Sequence, residues 1–258
     1  MNLEYKGTEL FYSVVGKGET IVLLHGFLES STMWRDLIPH ISNTHHVVCV
    51  DLLGHGQTGC LGYIHTMEQM AEAVEAVLSH LKVKKATLIG HSMGGYVALA
   101  FAEQYPENVE GLCLMNSTAM DDSPEKKLNR DRAIEAVKQN HRSFIRLSIA
   151  NLFRPKNRMV FTEEIESIKE EALQFPIQGI IAALEGMKIR KNRVGLFRNA
   201  KYKKMMIIGR KDPALQYNTL IDQIKDSDVE MVEFPDGHMS YIENKEEFTY
   251  SIMHFIEK

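Results

Sequence analysis

The stretch Gly90-His91-Ser92-Met93-Gly94-Gly95 is where residue types and spacing point most directly to chemistry. It is a Gly-x-Ser-x-Gly pentapeptide, entered by the apolar, β-branched run Thr87-Leu88-Ile89 and left by the helix-forming run Tyr96 to Ala102. Strand, sharp turn and helix in that order are the setting of a nucleophile elbow. There the serine takes a strained turn conformation, and the flanking glycines let strand and helix approach closely. Ser92 is then expected at the carboxyl edge of a sheet, near the positive end of the following helix, where an oxyanion can be stabilised.

A serine hydroxyl is a poor nucleophile at neutral pH unless a base takes its proton, and the base works best when a third group fixes its tautomer. Asp212 and His238 each fall just past an expected strand, at the same edge as the serine, and the order Ser, Asp, His is the one this kind of sheet uses. Among the other histidines, His40, His45, His80 and His254 lie in or beside helices and turns. His91 sits on the strained turn and is expected to point elsewhere, and His25 is read as bracing its own loop. Asp212 is the favoured acid, with Asp121, Asp122 and Asp236 as alternatives. Attack on a carbonyl also needs two oxyanion donors, expected to be the backbone N–H groups of Met93 and Phe27.

The elements that must position these groups follow a clear rhythm. Leu3 to Tyr5 and Glu9 to Val15 read as an opening hairpin. The apolar runs Thr20 to Leu24 and His46 to Val50 read as strands buried on both faces, and Ala86 to Ile89, Val109 to Met115, Met205 to Ile208 and Val229 to Phe234 as further strands. Helices are expected over Ser31 to Ile38, Met67 to Leu81, Met93 to Gln104, Ala214 to Ile224 and Lys245 to Glu257. Alternating strands and amphipathic helices imply a mostly parallel sheet with helices on both faces, and ligands bind such sheets beyond the carboxyl ends of the strands.

Between 117 and 198 the rhythm breaks into a strand-poor, helical pattern punctuated by Pro124, Pro155 and Pro176. Segments 1–116 and 199–258 are expected to form the core domain, and 117–198 an inserted helical cap over Ser92 that shapes a pocket and excludes water. The basic run Lys188, Arg190, Lys191, Arg193, Arg198, Lys201, Lys203 and Lys204 is read as a solvated return linker, with an anion-binding edge for a charged substrate as the alternative. Gly54-x-Gly56-x-x-Gly59 matches a dinucleotide-binding fingerprint in spelling. No helix opens within it, so Asp51 and His55 are read instead as side chains bracing a loop.

Composition narrows the partners. With 30 basic and 34 acidic side chains in 258 residues, the net charge of −4 gives no reason to expect bulk attraction to nucleic acid or to an anionic membrane. Three cysteines without Cys-x-x-Cys spacing argue against a disulfide framework and a zinc site, and for a reducing, cytoplasmic setting. The opening residues lack a signal-peptide pattern, and no apolar run approaches the roughly 20 residues that span a bilayer.

Together, His25-Gly26-Phe27, Asp51-Leu52-Leu53-Gly54-His55-Gly56, Gly90-His91-Ser92-Met93-Gly94-Gly95, Gly209-Arg210-Lys211-Asp212 and Gly237-His238 resemble the α/β-hydrolase superfamily over almost the whole chain outside the inserted stretch. The resemblance implies an eight-stranded sheet with one antiparallel strand near its start, a helical cap and no cofactor or metal. A serine at the elbow sets the chain apart from dehalogenase and epoxide-hydrolase members, whose nucleophile is an aspartate.

The expected activity is hydrolysis of a small or medium acyl substrate, first a carboxylic ester, through an acyl-enzyme. Lactones, thioesters, amides and carbon–carbon bonds fall to the same machinery. Two alternatives stand beside it. One is a lyase resembling the menaquinone-pathway synthase, which would need an arginine such as Arg130 or Arg132 to hold carboxylates. The other is a ligand sensor on the same fold.

Overall fold

The computed structural model describes residues 1–258. A hairpin of β1 (Asn2–Tyr5) and β2 (Thr8–Val15) turns at Lys6 and Gly7, both with positive φ. Then come β3 (Thr20–Leu24), a 3₁₀ turn over Ser31–Trp34, α1 (Ile38–Ile41), β4 (His46–Val50), α2 (Met67–His80), β5 (Ala86–His91), α3 (Met93–Gln104) and β6 (Val109–Met115). Four helices follow without an intervening strand: α4 (Pro124–Leu152), α5 (Thr162–Ala172), α6 (Ile177–Lys188) and α7 (Val194–Asn199). The chain closes with β7 (Lys203–Gly209), α8 (Tyr217–Ile224), β8 (Glu230–Phe234), α9 (Ser240–Glu243) and α10 (Lys245–Ile256).

All eight strands form one sheet in the order β1-β2-β4-β3-β5-β6-β7-β8. Only β2 runs against its neighbours, pairing antiparallel with β1 and β4. Strand alternation divides the core in two. Ile21, Leu23, Val47, Cys49, Ile89 and Ile207 pack on one face with Trp34 and Ile41 near α1 and with Phe248, Ile252 and Phe255 of α10. Their alternates Val22, Leu24, Val48, Leu88, Leu112 and Met206 face α2 and α3 on the other side.

Two helix starts differ from the sequence expectation, each for a local reason. Ser31 to Ile38 is not one helix: Pro39 falls in the first turn of α1. Its missing N–H and its ring are tolerated at a helix start but not within a continuous helix. The helix expected from Ala214 begins at Tyr217, because Asp212 Oδ1 takes the N–H groups of Ala214 (2.8 Å) and Leu215 (3.1 Å). Within the inserted stretch Pro124 opens α4, Pro155 opens a 3₁₀ turn and Pro176 precedes α6. Helix α4 is kinked at Asn140 (φ −157°, ψ 84°), whose Oδ1 accepts from Ser143 N at 3.0 Å and so caps the second half as a new start.

The basic run is not a solvated linker throughout. Arg190, Arg193 and Lys204 are buried. Arg190 pairs with Asp122 (2.7 Å), Arg193 with Glu68 (2.6 Å) and Glu103 (2.7 Å), and Lys204 with Asp228 (2.6 Å). Arg190 joins the two ends of the stretch, Arg193 ties its end to α2 and α3, and Lys204 on β7 also donates to the carbonyls of Arg198 and Ala200, since a buried cation demands a partner.

Candidate active site

Ser92 joins β5 to α3 with φ 49° and ψ −113°, a conformation rare for a residue with a Cβ. Its backbone is held on both sides. Its N–H donates to Met115 O at 2.9 Å, and its carbonyl accepts from Gly95 N (3.0 Å) and Ser117 Oγ (2.7 Å). The glycines answer to close approach: a Cβ on Gly90 would lie 2.4 Å from the carbonyl carbon of Gly94, and one on Gly94 would lie 2.2 Å from Leu24 O. Any side chain at either position would push α3 off β5 and β3.

His238 lies in the loop after β8, and Asp212 in the loop after β7. The two meet at 2.7 Å, Nδ1 to Oδ2, and both side chains are buried. Asp212 also accepts from Asn116 Nδ2 (3.3 Å) and from the two N–H groups at the start of its turn. Four donors on one carboxyl suit the ionised form, so the proton between the pair sits on His238 Nδ1 and leaves Nε2 as an acceptor. Ser92 and His238 line the same cavity, of about 410 Å³. Their side chains are not hydrogen-bonded to each other here, a contact that commonly tightens only around substrate.

The other acids considered from sequence are committed elsewhere. Asp121 is exposed and accepts from Asn192 (3.1 Å), Asp122 is buried against Arg130 and Arg190, and Asp236 pairs with Arg154 (2.9 Å) and Asn244 (3.1 Å).

Phe27 lines the cavity, and its N–H donates to no group of the protein. The N–H of Met93, at the first position of α3, has no acceptor within its helix. The loop carrying Phe27 is shaped by His25, whose Nε2 accepts from Leu52 N (2.9 Å) while Nδ1 donates to Gly26 O (2.8 Å). Asp51 braces the adjacent loop through Ser31 N and Gln57 N, both at 2.8 Å. Burial lowers the pKa of His55 to about 3 and that of His65 to about 4, so both stand neutral behind this loop.

His91 does not point away from the site. It is fully buried, with Nδ1 2.7 Å from Glu29 Oε2 and Nε2 3.0 Å from the carbonyl oxygen of His238. Glu29 further accepts from Gly26 N (2.7 Å) and Tyr241 OH (3.0 Å). Burial alone would push the His91 pKa down, but the charge and hydrogen bond of Glu29 outweigh it and hold it above the usual histidine value. Burial would likewise raise Glu29, and His91 brings it below the usual carboxylate value. Nothing in the local sequence marked Tyr241, and little marked Glu29. The one available signal was an acidic residue shortly after His25-Gly26, in a loop expected at the same sheet edge.

The inserted helices supply the far wall of the cavity: Lys126, Arg130, Ala133 and Phe144 come from α4, and Leu184 and Met187 from α6. No group of three or more His, Cys, Asp or Glu side chains converges as a metal site, and no helix is long and apolar enough to cross a membrane.

Comparison with known proteins agrees with this architecture. An esterase from Thermogutta terrifontis, solved with malate bound, is 30% identical and superposes over 99% of this chain and 96% of its own with a TM-score of 0.89. The enol-lactonase from Burkholderia xenovorans LB400 shares the fold over 100% of both chains, with a TM-score of 0.92 at 23% identity. By sequence, the uncharacterized hydrolase YugF of Bacillus subtilis is 38% identical over 101 residues, 39% of this chain and 37% of that protein. An uncharacterized protein of Mycobacterium bovis, Mb2734, is 34% identical over 106 residues, so the chain spans under a third of that relative's length (31%). The family profile described as alpha/beta hydrolase fold matches residues 19–245, from before β3 to the start of α10. The chain belongs to the alpha/beta hydrolase family.

Proposed function

We propose that this hydrolase is a serine carboxylic ester hydrolase working through an acyl-enzyme, with Ser92, His238 and Asp212 as its triad. The observation that carries the reading is that Ser92, held at positive φ on the elbow, shares a cavity with His238, whose Nδ1 is fixed 2.7 Å from the Asp212 carboxylate. Ser92 Oγ attacks the ester carbonyl while His238 Nε2 takes its proton. The tetrahedral oxyanion is held by the N–H groups of Phe27 and Met93. Collapse breaks the ester C–O bond, and the alcohol leaves with the proton from His238. Water then attacks the acyl-enzyme, giving a proton to His238, and the acid departs as Ser92 regains its hydrogen.

Residues 117–198 act in this reading as a cap over the core formed by 1–116 and 199–258, setting the size of the acyl site. The partner is a small acyl substrate rather than nucleic acid or membrane, and the setting is cytoplasmic, in keeping with three free cysteines.

The test is turnover of a p-nitrophenyl ester series from acetate to long-chain acyl by wild type, by Ser92→Ala and by fluorophosphonate-treated enzyme. Serine-dependent turnover with a chain-length optimum is expected. Labelling without turnover would point to a different substrate class or to a sensor, and the absence of both would refute Ser92 as an activated nucleophile.

A further inference from the structure

The cavity that holds Ser92 and His238 contains no aspartate or glutamate, yet besides His91, whose charge Glu29 answers, two of its lining residues, Lys126 and Arg130, are cations. In a chain with more acidic than basic residues this is a local choice, not a reflection of composition.

Arg130 is held in place from behind. Its Nε donates at 2.7 Å to Oδ2 of Asp122, whose side chain is completely buried. The other Asp122 oxygen lies 2.7 Å from Arg190 Nη1. Arg190 is itself spent on the interior: it donates to the carbonyls of Met120 and Met187, both at 3.0 Å, and lies 4.1 Å above the ring of Tyr96. One carboxylate therefore answers two guanidinium groups and leaves an excess positive charge. The two terminal amino groups of Arg130 donate to no atom of the protein, while the side chain lines the cavity at 21% exposure. Lys126, one turn earlier on α4, makes no ion pair. A guanidinium fixed through Nε presents its two free amino groups as a planar fork, which matches a carboxylate in bidentate fashion.

We propose that the substrate is an ester carrying a free carboxylate, which Arg130 and Lys126 bind while the ester carbonyl sits at Ser92. Ten of the seventeen lining residues are hydrophobic, so the two polar ends are joined by a short apolar spacer. This rests on the hydrolase reading above and narrows it to one substrate class.

The experiment compares monomethyl glutarate, adipate and pimelate with neutral methyl esters of matched length, followed by pH-stat. A second series, 4-acetoxybutanoate against butyl acetate, places the carboxylate on the alcohol side. At low salt the better charged series is expected to exceed its neutral counterpart about tenfold in kcat/KM, the scale of one charge-assisted hydrogen bond. Arg130→Gln should erase most of this preference through KM, and Arg130→Lys should restore part of it. Lys126→Ala, at a partly exposed position without a side-chain partner, gives the same direction of change should Arg130 variants fold poorly. Serine-dependent turnover with no preference for either charged series overturns the anion site and leaves the hydrolase reading standing.

A binding arm separates the two failures. Calorimetry with Ser92→Ala protein and adipate is expected to show binding that weakens about tenfold in the Arg130→Gln background. Such binding with every ester inert supports the anion site and sinks the ester reading, whereas no adipate binding overturns the site.

Discussion

Both ring nitrogens of His91 face acceptors, the Glu29 carboxylate at 2.7 Å and the carbonyl oxygen of His238 at 3.0 Å. A neutral imidazole can donate only once, so two facing acceptors favour the cation, and three groups around Glu29 favour the anion, in the direction of both pKa shifts. A buried ion pair thus stands directly behind the loop that carries the proposed base, with the two imidazole rings 5.1 Å apart.

Removing one partner of this pair should be costly. His91→Phe leaves the Glu29 charge buried without its cation and frees the His238 carbonyl, and is expected to lower stability by about 3–5 kcal/mol. Denaturant unfolding of wild type and variant measures this, and a loss below about 1 kcal/mol would show that the pair is neutral in the folded protein.

The pair should also leave a signature in pH. The folded pKa of His91 is raised, so its contribution is complete below about pH 6.5 and is lost as pH rises through the folded value. That of Glu29 is lowered, so its contribution is present above about pH 4.5 and is lost as pH falls through the folded value. The stability difference between wild type and Glu29→Gln is therefore expected to be largest between these limits and to shrink on the alkaline side. A difference that stays flat from pH 5 to pH 10 would contradict the assignment.

Asp212→Asn tests the acid. The amide keeps an oxygen for Ala214 N and Leu215 N but turns a donor toward His238, favouring the wrong tautomer. A fall in kcat of about 10⁴ with an unchanged fold is expected, as measured by ester turnover and circular dichroism. Asp121→Asn, at an exposed position, should leave turnover unchanged.

Gly94→Ala tests the elbow. The new methyl would lie 2.2 Å from Leu24 O and must separate the start of α3, which carries Met93, from the end of β3, which leads into the loop of Phe27. Turnover should fall about 10²–10³, the cost of one lost donor, together with a lower Tm. Phe27→Leu, which keeps the backbone N–H, should instead retain kcat and change KM.

How far the sequence could be read depended on how local each determinant is. The buried strands and α3 carry their own signatures, and His46–Val50, Met93–Gln104 and Val109–Met115 run where their apolar patterns place them. The elbow and the loops of Asp212 and His238 were legible because strand ends and turn residues mark them. The break before Pro39 was also written in the sequence, in a proline that a continuous helix could not accommodate. Arg190, Arg193 and Lys204 were not legible as buried, because what makes their burial tolerable is a partner remote in sequence. The same holds for Glu29, in the loop after β3, and His91, at the end of β5, which acquire their charge states only when β3 and β5 pair.

The N–H of His238 donates to Leu152 O at 3.0 Å, and one carboxylate, Glu243, grips both Arg154 N (3.0 Å) and Gly237 N (3.1 Å). The end of α4 is thus stitched to the loop of the proposed base, which makes 152–154 a poor place to splice. A chimera that exchanges the inserted helices for those of a relative must import a carbonyl and an N–H at the same points. Otherwise it buries the His238 N–H unpaired at about 1–3 kcal/mol and lets the imidazole drift. The first half of α4, ahead of the kink at Asn140, makes no such stitch to that loop, and recombination there could change the cavity wall while sparing the base.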